Sequence, residues 1–413
     1  MGRRVLLLMP ATTYRAADFL SAAAALEVDV TVGTDQRQTL EEAAPGSSIQ
    51  LDFLDPAAAT RRIVEFSRRF PLAAVIGVED ETTLVAATAA EALGLPHNPA
   101  EAARAGRDKH RMRFLLRAAG LQGPEFWRFS LEEEPRAAAR QVSYPCVLKP
   151  LFLSASRGVV RADDPAGFLR AFQRVREILL RPEVAGKGGD AARFILAERY
   201  IPGKEVAVEG LLSGGSSRVL ALFDKPDPLE GPYFEETLYV TPSRLPRETQ
   251  EEIAATVGRA ASALHLREGP LHAELRVNDE GVWPLELAPR SIGGLCSRAL
   301  RFGAGLSLEE LILRHALGLE VGSLVRERSA AGVMMIPIPG GGVLREFGGA
   351  DEARRVRGIE SVTQSIPLGQ EIWPLPEGAR YLGFIVARGE TPEEVEEALR
   401  RAHRRLSIVV SPA

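Results

Sequence analysis

The chain has 413 residues, of which 45% are hydrophobic and 26% charged, an ordinary globular composition but too long for one compact core, so two or three domains are expected. A net charge of −4 argues against a nucleic-acid partner held by a basic surface, and no run of about 20 apolar residues is present to span a membrane. Two cysteines, Cys146 and Cys296, are too few for a disulfide framework and fit a reducing cytoplasm. At the start, MGRRVLLLMP is basic then apolar, but Pro10 ends the run and no clean cleavage site follows, so it reads as a first strand. Leu6, where a Ser or Thr is needed, argues against myristoylation after Met1-Gly2.

Residues 3 to 100 alternate strand and helix signals: VLLLM, helical AADFLSAAAALE, VDVTVG, helical ATRRIVEFSRRF and the buried-type strand LAAVIGV. This alternation predicts a parallel sheet with helices on both faces. The first turn, MPATTYRA, has no glycine, so a dinucleotide-binding fingerprint is absent. Glu79, Asp80 and Glu81 follow the last of these strands at the sheet edge where such folds place ligands; an acidic helix N-terminus explains them equally well.

An Asn98-Pro99 loop leads to helical text around Lys109 and a turn at Gly120 to Pro124. YPCVLKPLFLSASRGVVRADD then sets Lys149 at the end of an apolar strand, followed by a small-residue loop with Ser154, Ala155, Ser156, Arg157 and Gly158. Such a loop can offer backbone N–H groups to phosphates while the lysine supplies a point charge, and it is equally compatible with a plain hairpin. RPEVAGKGGDAAR, residues 181 to 193, reads as a Gly-rich mobile loop. In FILAERYIPGKEVAVEGLL, Glu198 ends one strand and Glu205 starts the next, with a connector at Arg199, Tyr200 and Ile201 whose backbone can bond an adenine edge. Lys225, Phe234, Glu235 and Glu236 border either a pocket or an ordinary strand-edge loop.

LHAELRVNDEGVWPLELAPRSIGGLCS, residues 271 to 297, is the stretch richest in chemistry. Asn278, Asp279 and Gly281 fold two apolar-alternating runs into a hairpin. Glu274 and Glu286 can then share a face and hold a hard divalent cation, with Arg290 beside it. Glu286 sits among Pro284, Leu285 and Leu287, where an unpaired buried carboxylate would be costly. His272 alternates onto the same face as Glu274 and reads either as a substrate contact or as a structural histidine. Beyond residue 300, helical LSLEELILRHALG precedes a strand at 334 to 344, a Gly340-Gly341-Gly342 turn, strands near SVTQSIPL and YLGFIVARG, and a last helix TPEEVEEALRRAHRRLS with acids early and bases late.

In this order, Asn98-Pro99 with Lys109, VLKP with SASRG, ERYIPGKE, HAELR and ELAPR resemble the ATP-grasp superfamily over nearly the whole length. The resemblance implies an α/β and α+β multidomain fold: a Rossmann-like N-terminal parallel-sheet domain (1–100), a two-lobed ATP-grasp core (101–328) with a lid at about 110–197, and a small C-terminal α+β domain (329–413). It implies ATP and Mg²⁺, with Mn²⁺ as the alternative ion. Lys109 and Lys149 would contact the phosphates under the loop Ser154, Ser156, Arg157 and Gly158. Glu198 with the Tyr200 and Ile201 backbone would hold the adenine, Glu205 the ribose, Glu274 and Glu286 the metal, and Arg290 the transferred phosphoryl or acyl phosphate. Two positions depart from the pattern: Ala288 stands where many members have Asn, and the phosphate loop has only Gly158.

Within the superfamily the chain looks most like the carboxylate-amine ligases that include the L-amino acid ligases, on LHAELRV, ELAPRSIGGLC and AAGVMMIPIPGGGVLREFGG. The implied reaction phosphorylates a carboxylate with ATP and hands the acyl group to an amine, with Arg290 and the N–H groups near Gly293 and Gly294 facing the oxyanion and His272 near the amine. The implied partners are small-molecule carboxylate and amine substrates in the cytoplasm; a homodimer is compatible with it. Gly294, lacking a side chain, suggests room for a substrate larger than alanine. The alternatives are another acceptor, as in phosphoribosylamine-glycine ligase or biotin carboxylase, and a non-catalytic ATP-binding regulator. Ala288 and the glycine-poor loop favour the regulator; both lysines, both acids and Arg290 oppose it.

Overall fold

The computed structural model describes residues 3–36 and 44–412; Met1-Gly2 lies outside them. Strands Arg4–Leu8, Asp29–Thr34, Ser48–Gln50 and Ala74–Gly77 form a parallel sheet in which Arg4–Leu8 is flanked by Asp29–Thr34 and Ala74–Gly77. Val5 to Leu8 are fully buried because helices cover both faces. Leu6 and Leu8 pack on Ile63 and Val85, while Val5 and Leu7 pack toward Phe19 and Leu311. Each such side chain contributes roughly 1.5–3 kcal/mol on burial.

A four-stranded antiparallel sheet, ordered Phe126–Ser130, Phe194–Arg199, Cys146–Pro150 and Val160–Ala162, carries the helix Pro165–Leu179, whose Phe168 and Phe172 fill its core. The segment 181 to 193, expected as a mobile loop, is instead the short helix Pro182–Gly188 followed by a 3₁₀ turn Gly189–Arg193. Pro182 presets the first turn, Val184 is buried, and Gly188 packs so closely on Phe152 that a Cβ there would lie 2.3 Å from the ring. Burial of these contacts outweighs the glycine content.

The largest sheet has eight strands, running Gly281–Ala288, Gly269–Asn278, Lys204–Ser213, Ser216–Asp224, Leu238–Thr241, Ala330–Ile336, Gly383–Gly389 and Ile359–Gln364. It crosses residue 329 without a break, since Leu238–Thr241 pairs with Ala330–Ile336. The expected strand at 334 to 344 is two strands: Ala330–Ile336 in this sheet and Gly342–Gly348 in a separate three-stranded sheet with Glu371–Ile372 and Ser407–Ser411. Pro337 and Pro339 have no N–H to continue the ladder. Strand Ser407–Ser411 follows the expected helix Pro392–His403 and was not legible in the periodicity. Among the described residues no helix is long and apolar enough to cross a membrane.

Candidate active site

The four-stranded antiparallel sheet, the large sheet and the edge of the parallel sheet line a cavity of about 220 Å³. Its floor is the hairpin Gly269–Asn278 and Gly281–Ala288, in which Glu274 stands directly opposite Glu286 and His272 opposite Ala288. Two carboxylates in cross-strand register supply the hard oxygen donors that a magnesium or manganese ion takes, so the pair fits the expected metal. Each also has a lysine at hand: Lys225 Nζ lies 2.9 Å from Glu274, and Lys109 Nζ lies 3.2 Å from Glu286.

Lys109 opens the helix Lys109–Ala118, is buried, and donates to the Leu153 carbonyl at 2.7 Å. Lys149, on the strand Cys146–Pro150, pairs with Glu198 at 2.6 Å; burial pulls its pKa below the usual lysine range. Both lysines line the cavity with Ser154, Ala155 and Ser156. Arg157 and Gly158 do not, contrary to expectation. Arg157 turns to Glu183 at 3.7 Å, and Gly158, at φ +74, packs on Pro150 and donates its N–H to the Pro376 carbonyl.

The residues expected at the adenine and ribose, Glu198, Tyr200, Ile201 and Glu205, all line the cavity, and several of their polar groups have partners within the protein. The Glu198 carboxylate is buried between Arg113 (2.6 Å) and Lys149; burial pushes its pKa up, but these cations outweigh that and hold it at about 2. Tyr200 spends its N–H on the Pro145 carbonyl at 2.9 Å. The Ile201 N–H has no acceptor among the described residues, and Ile201 lines the cavity with Val147, Leu153, Val159 and Leu285. Glu205 meets Lys225 at 2.8 Å and Arg276 at 3.0 Å rather than standing free.

Lys225 is the hub of the second half of the cavity, with Glu205, Glu236 and Glu274 at 2.6 to 2.9 Å around one ammonium. The Glu236 pKa rises to about 7, chiefly through burial and then the charge of Glu274. Phe234 and Glu236 line the cavity; Glu235 is not among its lining residues. His272 lies 3.6 Å from Glu274 and 3.7 Å from Glu209, a fully buried acid directly opposite it in register. Burial lowers the imidazole pKa, and the two carboxylates beside it more than reverse this.

Arg290 lies just past the hairpin, at the end of the cavity nearest the parallel sheet. It donates from Nε and Nη2 to Asp80 at 2.8 and 2.9 Å and from Nη1 to the Ser291 carbonyl at 3.0 Å. Asp80 therefore serves as more than a helix terminus. Neighbouring residues are clamped by the same N-terminal segment: Arg15 binds the Ser291 hydroxyl and carbonyl, and Tyr14 Oη accepts the Gly294 N–H at 2.8 Å. Two expectations for Gly294 fail on this geometry. Its N–H is committed to Tyr14, and the space before it is filled, because a Cβ there would lie 2.6 Å from Met335 Sδ.

Arg113, Arg276, Glu209, Tyr14, Tyr381 and Met335 were not picked out from the sequence. Arg113 carried a usable signal, one helical turn after Lys109 and so on its face. Arg276 alternates with Glu274 along one strand, and Glu209 is an acid inside an apolar run, as Glu286 is. Tyr14, Tyr381 and Met335 carried none.

Family models match the chain in three parts: an ATP-grasp N-terminal domain at residues 20–97, an ATP-grasp domain at 142–299 and an L-amino acid ligase C-terminal domain 2 at 334–411. The structure is similar to that of an L-amino acid ligase from Bacillus licheniformis, with a TM-score of 0.81, 27% identity and 99% of each chain covered. An N5-carboxyaminoimidazole ribonucleotide synthetase from Thermotoga maritima, 15% identical with a TM-score of 0.71 over 99% of this chain and all of that one, shares the fold. Among curated relatives, alanine–anticapsin ligase of Bacillus subtilis (strain 168) is 29% identical over 55% of this chain and 50% of its own, and carnosine synthase 1 of Gallus gallus is 28% identical over 58% and 27%. The chain spans about half the length of the first of these, and about a quarter of the second. Three successive domain models in the order that the motifs predicted, together with a structural counterpart over the full length, give the chain the ATP-grasp fold.

Proposed function

We propose that the chain is an ATP-dependent carboxylate-amine ligase that forms an amide or peptide bond through an acyl phosphate, with an amino acid among its substrates. One observation carries this reading: Glu274 and Glu286 stand in cross-strand register and line a single cavity together with Lys109, Lys149 and Arg290. A site that only bound nucleotide would have no use for the arginine. Similarity to proteins named L-amino acid ligase, alanine–anticapsin ligase and carnosine synthase supports the amino acid assignment.

In this reading Lys109 and Lys149 meet the ATP phosphates, with the Ser154 to Ser156 segment above them and the Ile201 N–H donating to the adenine. Glu274 and Glu286 hold Mg²⁺ or Mn²⁺, which when bound neutralises charge on the transferred phosphoryl group. A substrate carboxylate oxygen attacks the γ-phosphorus and the bond to ADP breaks; an amine then attacks the acyl carbon, loses a proton, and phosphate leaves. Arg290, held in place by Asp80, steadies the carboxylate and then the oxyanion with its remaining N–H groups. His272 is placed to touch the departing phosphate. Burial pushes the Cys296 thiol well above its ordinary pKa, so this cavity-lining cysteine packs rather than attacks. Both cysteines are buried and unpaired, which suits the cytoplasm. The divisions 1–100, 101–328 and 329–413 remain our proposal for the domains.

The test is Mg²⁺-dependent phosphate release from ATP over free amino acids, singly and in pairs, with mass analysis of products. Release that needs a pair and yields the condensed mass is the expected result. Absence of release over wider carboxylate and amine panels, with ATP still bound, would count against ligation.

A further inference from the structure

A second groove, of about 490 Å³, lies between the helix Ala16–Ala25, the turn Cys296–Ala299, the start of the helix Leu308–Ala316 and the edge strand Ile359–Gln364. It shares no lining residue with the catalytic cavity. Four acids line it: Asp18, Glu309, Glu310 and Glu360. Three of these are satisfied within the protein. Asp18 pairs with Arg298 at 3.0 Å, Glu360 pairs with Arg388 at 2.8 Å, and Glu310 accepts the Ser307 N–H at 2.8 Å in a capping box. Glu309 is the exception. It is only 3% exposed, its Oε1 is buried with no hydrogen-bond partner, and among the described residues it forms no ion pair. Its place in the first turn of a helix favours the charge but supplies no hydrogen bond to that oxygen. A buried carboxylate in this state is costly unless a ligand completes it.

The same groove holds an unspent positive charge. Arg301 forms no ion pair among the described residues. Its Nη1 donates to the carbonyls of Arg298 and Leu300 at 3.2 and 2.9 Å, which leaves Nε and Nη2, one side of the guanidinium fork, with N–H groups to give. That side of the fork matches a carboxylate through two parallel hydrogen bonds. Arg301 and Glu309 thus line one groove without neutralising each other. Among the described residues Glu309 belongs to no group of three side chains able to share a metal ion, so an N–H cation is the partner that suits it. Ser21 and Ser361 add hydroxyls to the lining, and its apolar members are as small as Ala22, Ala25 and Val386, which suits a polar ligand.

We infer that this groove binds a small zwitterion, its ammonium on Glu309 and its carboxylate on Arg301, at a site separate from catalysis. Free α-amino acids and dipeptides both carry this pair of groups, and the groove is larger than the catalytic cavity of about 220 Å³. Neither Lys109, Lys149, Glu274, Glu286 nor Arg290 lines it, so the ligand is held there and not turned over. The site is read from unpaired charge and stands without the ligase reading. Within that reading, the ligand is the enzyme's own substrate or product.

The experiment is equilibrium dialysis of the full chain against labelled alanine, phenylalanine and alanyl-alanine, beside propionate and alanine methyl ester, each of which lacks one of the two charges. The wild type should bind one equivalent of a zwitterion more than Glu309→Gln or Arg301→Gln, whose affinity at the groove should fall about 10–100-fold, the usual loss for a hydrogen bond to a charged group. Propionate and the ester should show no such difference. An extra equivalent of alanine or phenylalanine identifies a free amino acid as the occupant, and one of alanyl-alanine identifies the dipeptide. Thermal unfolding reports whether the variants fold. Without ligand, Glu309→Gln should unfold at no lower temperature than the wild type, because it removes an uncompensated buried charge. Equal binding by the wild type and both folded variants would overturn the inference, as would a lower Tm of ligand-free Glu309→Gln, which would mark the residue as structural. Either result leaves the ligase reading intact, whereas absence of phosphate release with any carboxylate would remove that reading and leave the extra equivalent standing.

Discussion

Asp80 and Arg290 meet across 210 residues of sequence in a two-pronged ion pair, Nε to Oδ1 at 2.8 Å and Nη2 to Oδ2 at 2.9 Å, and so fix the cavity's arginine from the parallel-sheet domain. Burial works to raise the Asp80 pKa, but Arg290, with Lys109 and Arg107 further off, holds it below the ordinary aspartate range. Asp80→Asn keeps the shape and removes the charge. If Asp80 orients Arg290, kcat should fall about 10–100-fold with the KM for ATP little changed. Steady-state kinetics in both substrates separate this from general damage, which would weaken ATP binding as well.

Lys225 Nζ pairs with three carboxylates at once, those of Glu205, Glu236 and Glu274. Lys225→Ala should destabilise the protein by about 3–5 kcal/mol at pH 7, since breaking a buried pair leaves charge uncompensated. Glu236 has a folded pKa raised to about 7, so its contribution is fully present below about pH 4.3 and is lost as pH rises through 7; the penalty should therefore grow on the alkaline side. Oxygens of Glu205, Glu236 and Glu274 lie within 4.8 Å of one another, so Ca²⁺ or Mn²⁺ should restore much of the lost Tm. Melting curves with and without the ion decide this.

For Glu198 the sign is opposite. Its folded pKa of about 2 is below the ordinary value of about 4.3, so the ionised carboxylate stabilises the fold above that pH and the contribution disappears as pH falls toward 2. The shift corresponds to about 3 kcal/mol at neutral pH. Glu198→Gln should be less stable than the wild type by about that amount at pH 7, and the two should converge near pH 2. Urea unfolding at several pH values measures the gap; a gap constant with pH would contradict the assignment.

Gly294→Ala puts a methyl against Met335 Sδ in a backbone at φ +62. It should cost about 1–2 kcal/mol. Adding Met335→Ala removes the clash but not the backbone strain, so the double variant should recover only part of the stability. Met335→Ala alone should widen the substrate end and admit larger carboxylates, read as a shift in kcat/KM across a size series.

Much was legible in the chain. The alternation over residues 3 to 100 gave the parallel sheet, because strands buried on both faces must be apolar throughout. Lys109, Lys149, Glu274, Glu286 and Arg290 do line one cavity. What sequence patterns carry poorly is the partner of each charge. Glu198 and Glu205 read as unpaired acids in the sequence, yet Arg113 and Arg276 reach them from a helix and another strand. The room expected at Gly294 is taken by Met335, 41 positions downstream, which no local spacing could indicate.

Residue identity, the apolar periodicities and the turn at Asn278 to Gly281 were set by the sequence alone, and they require a hairpin with acids on it. Whether those acids share a face was decided in three dimensions. Counted evenly from the turn, Glu274 would oppose Leu285 and Glu286 would point into the core. The register instead shifts, with Leu275 opposite Pro284 and Glu274 opposite Glu286, so Leu285 is an extra residue in the strand. Pro284 has no N–H for the ladder, and Arg113 takes the carbonyls of Pro284 and Leu285 at 2.8 and 2.7 Å. A helix more than 160 residues upstream thus holds the bulge that turns Glu286 toward the cavity, because strand parity is local but the hydrogen bonds that stabilise a change of parity are not.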